Sequence, residues 1–242
     1  MIWRLRTSFS AFWRRGAVLA LGALCAHAVT VSGQVELTNS HDPAVHKYRD
    51  YSGVVLWLEP VDKGAPPAPR PVKMLQKDKH FVPHVIAIPV GGTVEFPNLD
   101  EIYHNAFSNF SGQPFDTGLY KPQTSQSVTF RHAGIVQVFC NIHSSMSAII
   151  AVVATPYYVV TPQSGRFVIA NVPPGDYQFH IFHERAVPAN LKFLEHRITV
   201  PEAGLELPLI SVSETGFVPA PHLDKHGKPY APSGGSYKGS DN

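Results

Sequence analysis

Apolar and polar residues alternate with a period of two along most of this chain after about residue 30, and that period sets the expected architecture. In the stretch 136–140, Val136, Val138 and Cys140 fall on one face of an extended segment because successive side chains in a strand point to opposite faces. Immediately beyond, SAIIAVVA at 147–154 is continuously apolar and rich in β-branched residues, which predicts a strand buried on both faces. Upstream, HVIAIPVGGTVEFPN at 84–98 contains two strand-like runs broken at Gly91 and Gly92, and SQSVTF at 125–130 is a third. The region from about 72 to 154 therefore predicts short strands separated by turns, the pattern of a β-sandwich. Outside it stand two early runs, SGQVEL and YSGVVLWLEP, and four later ones, SGRFVIANV (164–172), DYQFHIFHE (176–184), EHRITVP (195–201) and LELPLIS (205–211). Two early strands alone are marginal in water, so they need partners, and the later runs are the candidates. No long helical period follows the first thirty residues. The expected class is all-β.

Residues 1–28 read differently. Arg4, Arg6, Arg14 and Arg15 precede an apolar run from Gly16 to about Ala26, shorter than the roughly 20 residues that span a bilayer. Ala26, His27 and Ala28 supply a small-x-small cleavage pattern, so residues 1–28 are expected to be a cleaved export signal and the mature protein to be periplasmic, with no membrane span. Removing those four arginines leaves 16 basic against 18 acidic residues, with no basic run to attract nucleic acid.

Export also changes the meaning of the cysteines. Of the 2 in the chain, Cys25 leaves with the signal and Cys140 stays alone in an oxidising compartment, where thiols normally pair. Such a thiol is buried and inert, linked to another chain, or held by a metal. Its neighbours favour the metal, since FCNIHSSM at 139–146 sets Cys140, His143 and Met146 within one short turn between two strands. Thiolate, imidazole and thioether are the soft donors that select copper, and a second imidazole would complete a blue-copper set. His104, at the end of the extended stretch 98–110, is the candidate. Other histidines offer less: His80 and His84 would stand about 13 Å apart on an extended strand, and read as a solvated edge, while His180 and His183 point to opposite strand faces. No paired catalytic carboxylates, nucleophile elbow or phosphate loop is visible, and the chain reads as a protein that is not an enzyme.

These residues carry a resemblance. FVP at 81–83, GGTVEFPNLDEIYHN at 91–105, FDTG at 115–118 and the closing Cys140-x2-His143-x2-Met146 resemble a cupredoxin of the plastocyanin and amicyanin type. The resemblance implies a Greek-key β-sandwich over 72–155 that holds one type 1 copper. By it, His104, Cys140 and His143 are the equatorial ligands, Met146 the axial one, and Asn105 holds the loop and hydrogen-bonds near the sulfur. Where the family often has proline beside the second histidine, this chain has Ile142 and Ser144, which leaves the loop's rigidity and the reduction potential open.

The flanks carry a second resemblance. SGRFVIANVPPGDYQFHIFHE is similar to the carboxypeptidase regulatory-like domain, a small transthyretin-like sandwich whose first two strands resemble GQVEL and VVLWLEP. The expected organisation is one sandwich formed by 33–64 and 156–215, with the cupredoxin inserted at a proline-rich junction, 65–71, and at Ala154-Thr155-Pro156; the alternative is a cupredoxin that adjoins it and takes the early strands as extra edges. The stretch 219–242, rich in glycine, proline, serine and lysine, is expected to be disordered. The whole resembles exported methylamine utilization or plastocyanin-like proteins. That implies an electron carrier whose partner is an exported redox protein, a cytochrome or a dehydrogenase, with a copper carrier or buffer as the alternative.

Overall fold

The computed structural model describes residues 28–62, 64, 68–109, 113–219 and 221–230. The expected signal, up to residue 27, lies outside the described residues, as do 65–67 of the proline-rich junction and 231–242. The chain is all-β. Two short helices interrupt the strands, Pro43–Tyr48 and Pro188–Lys192. Among the described residues no helix is long and apolar enough to cross a membrane.

Two hydrophobic cores form, and each follows one of the two groups of strands. In the first, Val29–Thr38 pairs antiparallel with Arg166–Val172 and parallel with Leu205–Glu206 and Ile210–Ser213. Facing it, Val55–Pro60 lies between Tyr158–Val160 and Gly175–Phe182, and His196–Val200 forms the far edge. Every strand before residue 61 thus finds its partners after residue 156, which satisfies the unpaired edges a lone early hairpin would present. Val31, Val35, Leu56, Leu58, Phe167 and Phe179 interdigitate between the sheets. The motif Gly165-Arg166-Phe167 shows why glycine opens this stretch. Gly165 has φ +71°, and an added Cβ would collide with the carbonyl of Val35.

The second core lies between residues 72 and 154. A five-stranded sheet runs Val85–Pro89, Ser147–Val153, Gly134–Phe139, Phe107–Ser108 and Phe115–Asp116. Ser125–Thr129, Thr93–Pro97 and Val72–Lys73 make the sheet that covers it, and Leu75–Lys77 pairs with His80–Val82 beside them. Ser147–Val153 is buried along nearly its whole length because it is central, with neighbours on both sides. The period-two pattern of 136–140 emerges as read: Val136, Val138 and Cys140 are inside and Gln137 is exposed.

Two expectations need correction. Strands end at Val82 and restart at Val85, so His80 and His84 do not share one strand. His84 is exposed, as expected, but not free: its Nε2 stands 2.7 Å from the Glu184 carboxylate and its Nδ1 3.0 Å from the Ser147 carbonyl, tying the two groups of strands together. And residues 221–230, expected to be disordered, are placed against the loop that follows Gly134–Phe139, with hydrogen bonds to Cys140 and Asn141.

Candidate metal centre

Cys140 leaves the end of Gly134–Phe139 pointing into the core, fully buried. The next six residues turn back into Ser147–Val153, and two backbone hydrogen bonds close the turn: Cys140 N–H to the Met146 carbonyl at 3.1 Å and Met146 N–H to the His143 carbonyl at 3.0 Å. This register brings His143 over Cys140 and buries Met146 in the same core as the cysteine. His104 arrives on the connection between Thr93–Pro97 and Phe107–Ser108. Its backbone exchanges two hydrogen bonds with Tyr120, whose hydroxyl donates to the Phe96 carbonyl at 2.8 Å, so its position is tied to Thr93–Pro97.

The outcome is a compact donor set. Cys140 Sγ lies 3.7 Å from His104 Nδ1 and 3.6 Å from His143 Nδ1, and the three donor atoms all lie within 4.8 Å of one another. Donors that share one first-row metal ion at about 2.0–2.3 Å stand about 3.5 Å apart, so one ion fits between these three. The donor chemistry fits copper, a thiolate with two imidazoles and a thioether in the same loop. His104 and Cys140 are inaccessible to solvent, and His143 is half-buried.

Electrostatics prepare the donors. Burial pushes the Cys140 thiol up, against the backbone N–H groups of Asn105, Ile142 and His143 that pull it down, so a bound cation would favour its thiolate form. Burial and the neighbouring His104 push His143 below its ordinary value, leaving it neutral with a lone pair to give. His104 is oriented by a group the sequence did not single out. Asp100 Oδ2 is 2.8 Å from His104 Nε2, which fixes the proton on Nε2 and turns Nδ1 toward Cys140. Asp100 is partly buried, which acts upward on its carboxyl, but hydrogen bonds from Lys79 N–H, His104 and Asp78 N–H hold it below the ordinary carboxylate range.

Asn105 links the turn after Cys140 to Phe115–Asp116. Its Oδ1 accepts from Asn141 N–H at 2.7 Å, and its Nδ2 donates to Asp116 at 3.1 Å. Buried Gln76 donates to the Asn105 carbonyl from behind, and Asn98 donates to the Ile102 carbonyl to shape the loop that delivers His104. Asp100, i−4 to His104, and the asparagine after Phe96-Pro97 were the only sequence signals for this support. His180 and His183 take no part: His180 stacks on Trp57, and His183 is buried against Glu214. In that second cluster burial raises the Glu214 carboxyl, but His183, Ser40 and Arg185 together draw it down to about 2. Among the described residues His104, Cys140 and His143 are the one cluster of this kind.

A buried cysteine and two imidazoles on neighbouring loops of a β-sandwich form a candidate soft-metal centre. Solved structures similar to part of this chain are copper proteins. A mutant amicyanin with Cu(I) is 19% identical over 34% of this chain and 82% of its own, with a TM-score of 0.33. A purple cupredoxin from Nitrosopumilus maritimus is 22% identical over 34% of this chain and 98% of its own, with a TM-score of 0.31. The copper-containing nitrite reductase from Thermus scotoductus is 29% identical over 50% of this chain and 28% of its own, with a TM-score of 0.35. No family model and no curated protein matches the sequence.

Proposed function

We propose that this is an exported blue-copper protein that passes single electrons between redox partners, with His104, Cys140 and His143 as equatorial ligands and Met146 as the axial one. The observation that carries the reading is the placing of one buried sulfur 3.6 and 3.7 Å from the Nδ1 atoms of two imidazoles. A copper ion held there supplies one-electron redox chemistry. The protein's part is to hold the donors still. Asp100 locks His104, the backbone N–H groups of Asn105, Ile142 and His143 face the sulfur, and the core around Met146 excludes water.

The surroundings favour a carrier over a catalyst. Asp100, the carboxylate that touches the site, is engaged by His104 and two backbone N–H groups, so it is not free to shuttle protons. His143 is the donor nearest solvent. Exposed Leu99, Ile102, Tyr103 and Leu119 lie in the stretches that flank His104 and Tyr120, an apolar setting suited to brief contact with an exported cytochrome or dehydrogenase. We assign 72–155 to the copper domain and 33–64 with 156–215 to one regulatory-like sandwich, because the flanking strands pair with each other.

The test is electron exchange. Copper-loaded mature protein should be reduced and reoxidised by a soluble c-type cytochrome, and Ile142→Glu should slow that exchange about tenfold while leaving the absorption spectrum intact. Exchange with no redox protein at all, despite a normal spectrum, would make the chain a copper carrier or buffer instead.

A further inference from the structure

The turn that carries Cys140, His143 and Met146 has little stiffness of its own. It lacks proline, Ser144 and Ser145 are exposed, and two backbone N–H to carbonyl hydrogen bonds close it, beside the N–H groups of Ile142 and His143 that face the sulfur. A segment some eighty residues further along the chain grips it from outside. The Tyr230 hydroxyl donates to the Cys140 carbonyl at 2.7 Å, and Lys225 N–H donates to Asn141 Oδ1 at 3.0 Å. Lys225 Nζ pairs with Asp116 at 2.8 Å. Since Asp116 also accepts from Asn105, and Asn105 accepts from Asn141 N–H, these contacts close a ring: Lys225, Asp116, Asn105, Asn141 and back to Lys225. Above the ring His222 stacks on Phe139 with centroids 4.1 Å apart, and the edge of Tyr230 meets His222 at 5.0 Å.

The gripping segment is itself organised. The Asp224 carboxylate accepts from the N–H groups of His226 and Lys228, Gly227 N–H donates back to the Asp224 carbonyl, and Gly227 takes φ +75°, a tight turn that sets Lys225 and Tyr230 at a fixed separation. The cysteine that carries the sulfur and the asparagine after it are therefore bonded by one preformed element, and the aromatic stack covers that side of the strand end.

We propose that residues 221–230 are a clasp on the metal loop, in which Tyr230 and Lys225 are positioning residues that hold Cys140 and Asn141 in the geometry the metal needs. The proposal rests on reading Cys140 and its neighbours as the metal site. The clasp supplies from outside the rigidity that proline would give from within, and it opposes the opening of the loop through which an ion would leave.

The test uses the full mature chain with Tyr230→Phe, which removes one hydroxyl and keeps the ring, the double variant Tyr230→Phe with Lys225→Ala, and Lys192→Ala on the short helix as control. In the metal-free protein, amide hydrogen exchange at Cys140, Asn141 and Met146 should quicken about tenfold in the double variant and about threefold in Tyr230→Phe, while Ile149–Val152 exchange as before. In the copper-loaded protein, loss of copper to a chelator should quicken by similar factors. Loop amides exchanging at the control rate in the double variant would overturn the clasp. If the unaltered chain shows no thiolate-to-copper absorption, the functional reading fails, and the exchange measurement on metal-free protein still decides whether the clasp exists.

Discussion

At the residue scale the proposed centre depends on a carboxylate outside its donor set, Asp100. Asp100 keeps the proton of His104 on Nε2, and without that partner a buried imidazole chooses its tautomer by default. Asp100→Asn keeps the size of the side chain but offers the ring an amide that can turn either face to it. Copper affinity should fall about 10- to 100-fold, the usual cost of losing a carboxylate behind a ligand histidine, with the fold intact. Competition with a calibrated chelator measures it, and an unchanged affinity would show that His104 needs no orientation. Cys140, His143 and Met146 stood out in the sequence because their chemistry is unusual and they share one short turn. Asp100 did not, because an aspartate in a loop is ordinary until the fold brings its oxygen to His104.

At the scale of elements, one ion pair joins the two groups of strands. His84 reaches from the start of Val85–Pro89 to Glu184, just past Gly175–Phe182, and its second nitrogen holds Ser147. The hydrogen bond from Glu184 raises the His84 pKa above its ordinary 6.5, ahead of the opposing effect of burial. For Glu184, burial acts upward, yet the bond to His84 brings its pKa below the ordinary 4.5. The His84 contribution is complete below pH 6.5 and lost as pH rises through the raised value. The Glu184 contribution is complete above pH 4.5 and lost as pH falls through the lowered one. The pair should therefore stabilise most between about pH 4.5 and 6.5, by about 0.5 kcal/mol after allowance for solvent. Chemical denaturation at pH 5.5 and 8.5 tests this, and His84→Gln should remove that part of the difference. A difference identical in the variant would place the pH dependence elsewhere. Strand positions such as 85–89, 93–97 and 147–153 were readable from period and glycine breaks, whereas this cross-connection was not, since it arises from two strand ends a hundred residues apart.

At the scale of the whole molecule, two layers of inference met different fates. The pairing of early with late strands was expected because unpaired strands are costly; Gly165 and the Tyr177 hydroxyl bonded to the Pro173 carbonyl show local reasons for the later strands. The segment 221–230 was misread because composition rich in glycine, proline and lysine argues for disorder, while a few specific contacts, from Asp224, Lys225 and Tyr230, are enough to order ten residues. What unites strands, loop and clasp is a single buried sulfur held ready for a soft ion. The absorption spectrum of mature protein loaded with one equivalent of Cu(II), with Cys140→Ser alongside, tests that most directly. An intense visible thiolate-to-copper band in the protein and none in Cys140→Ser is the expected result; a colourless oxidised protein, or a band that survives Cys140→Ser, would contradict it.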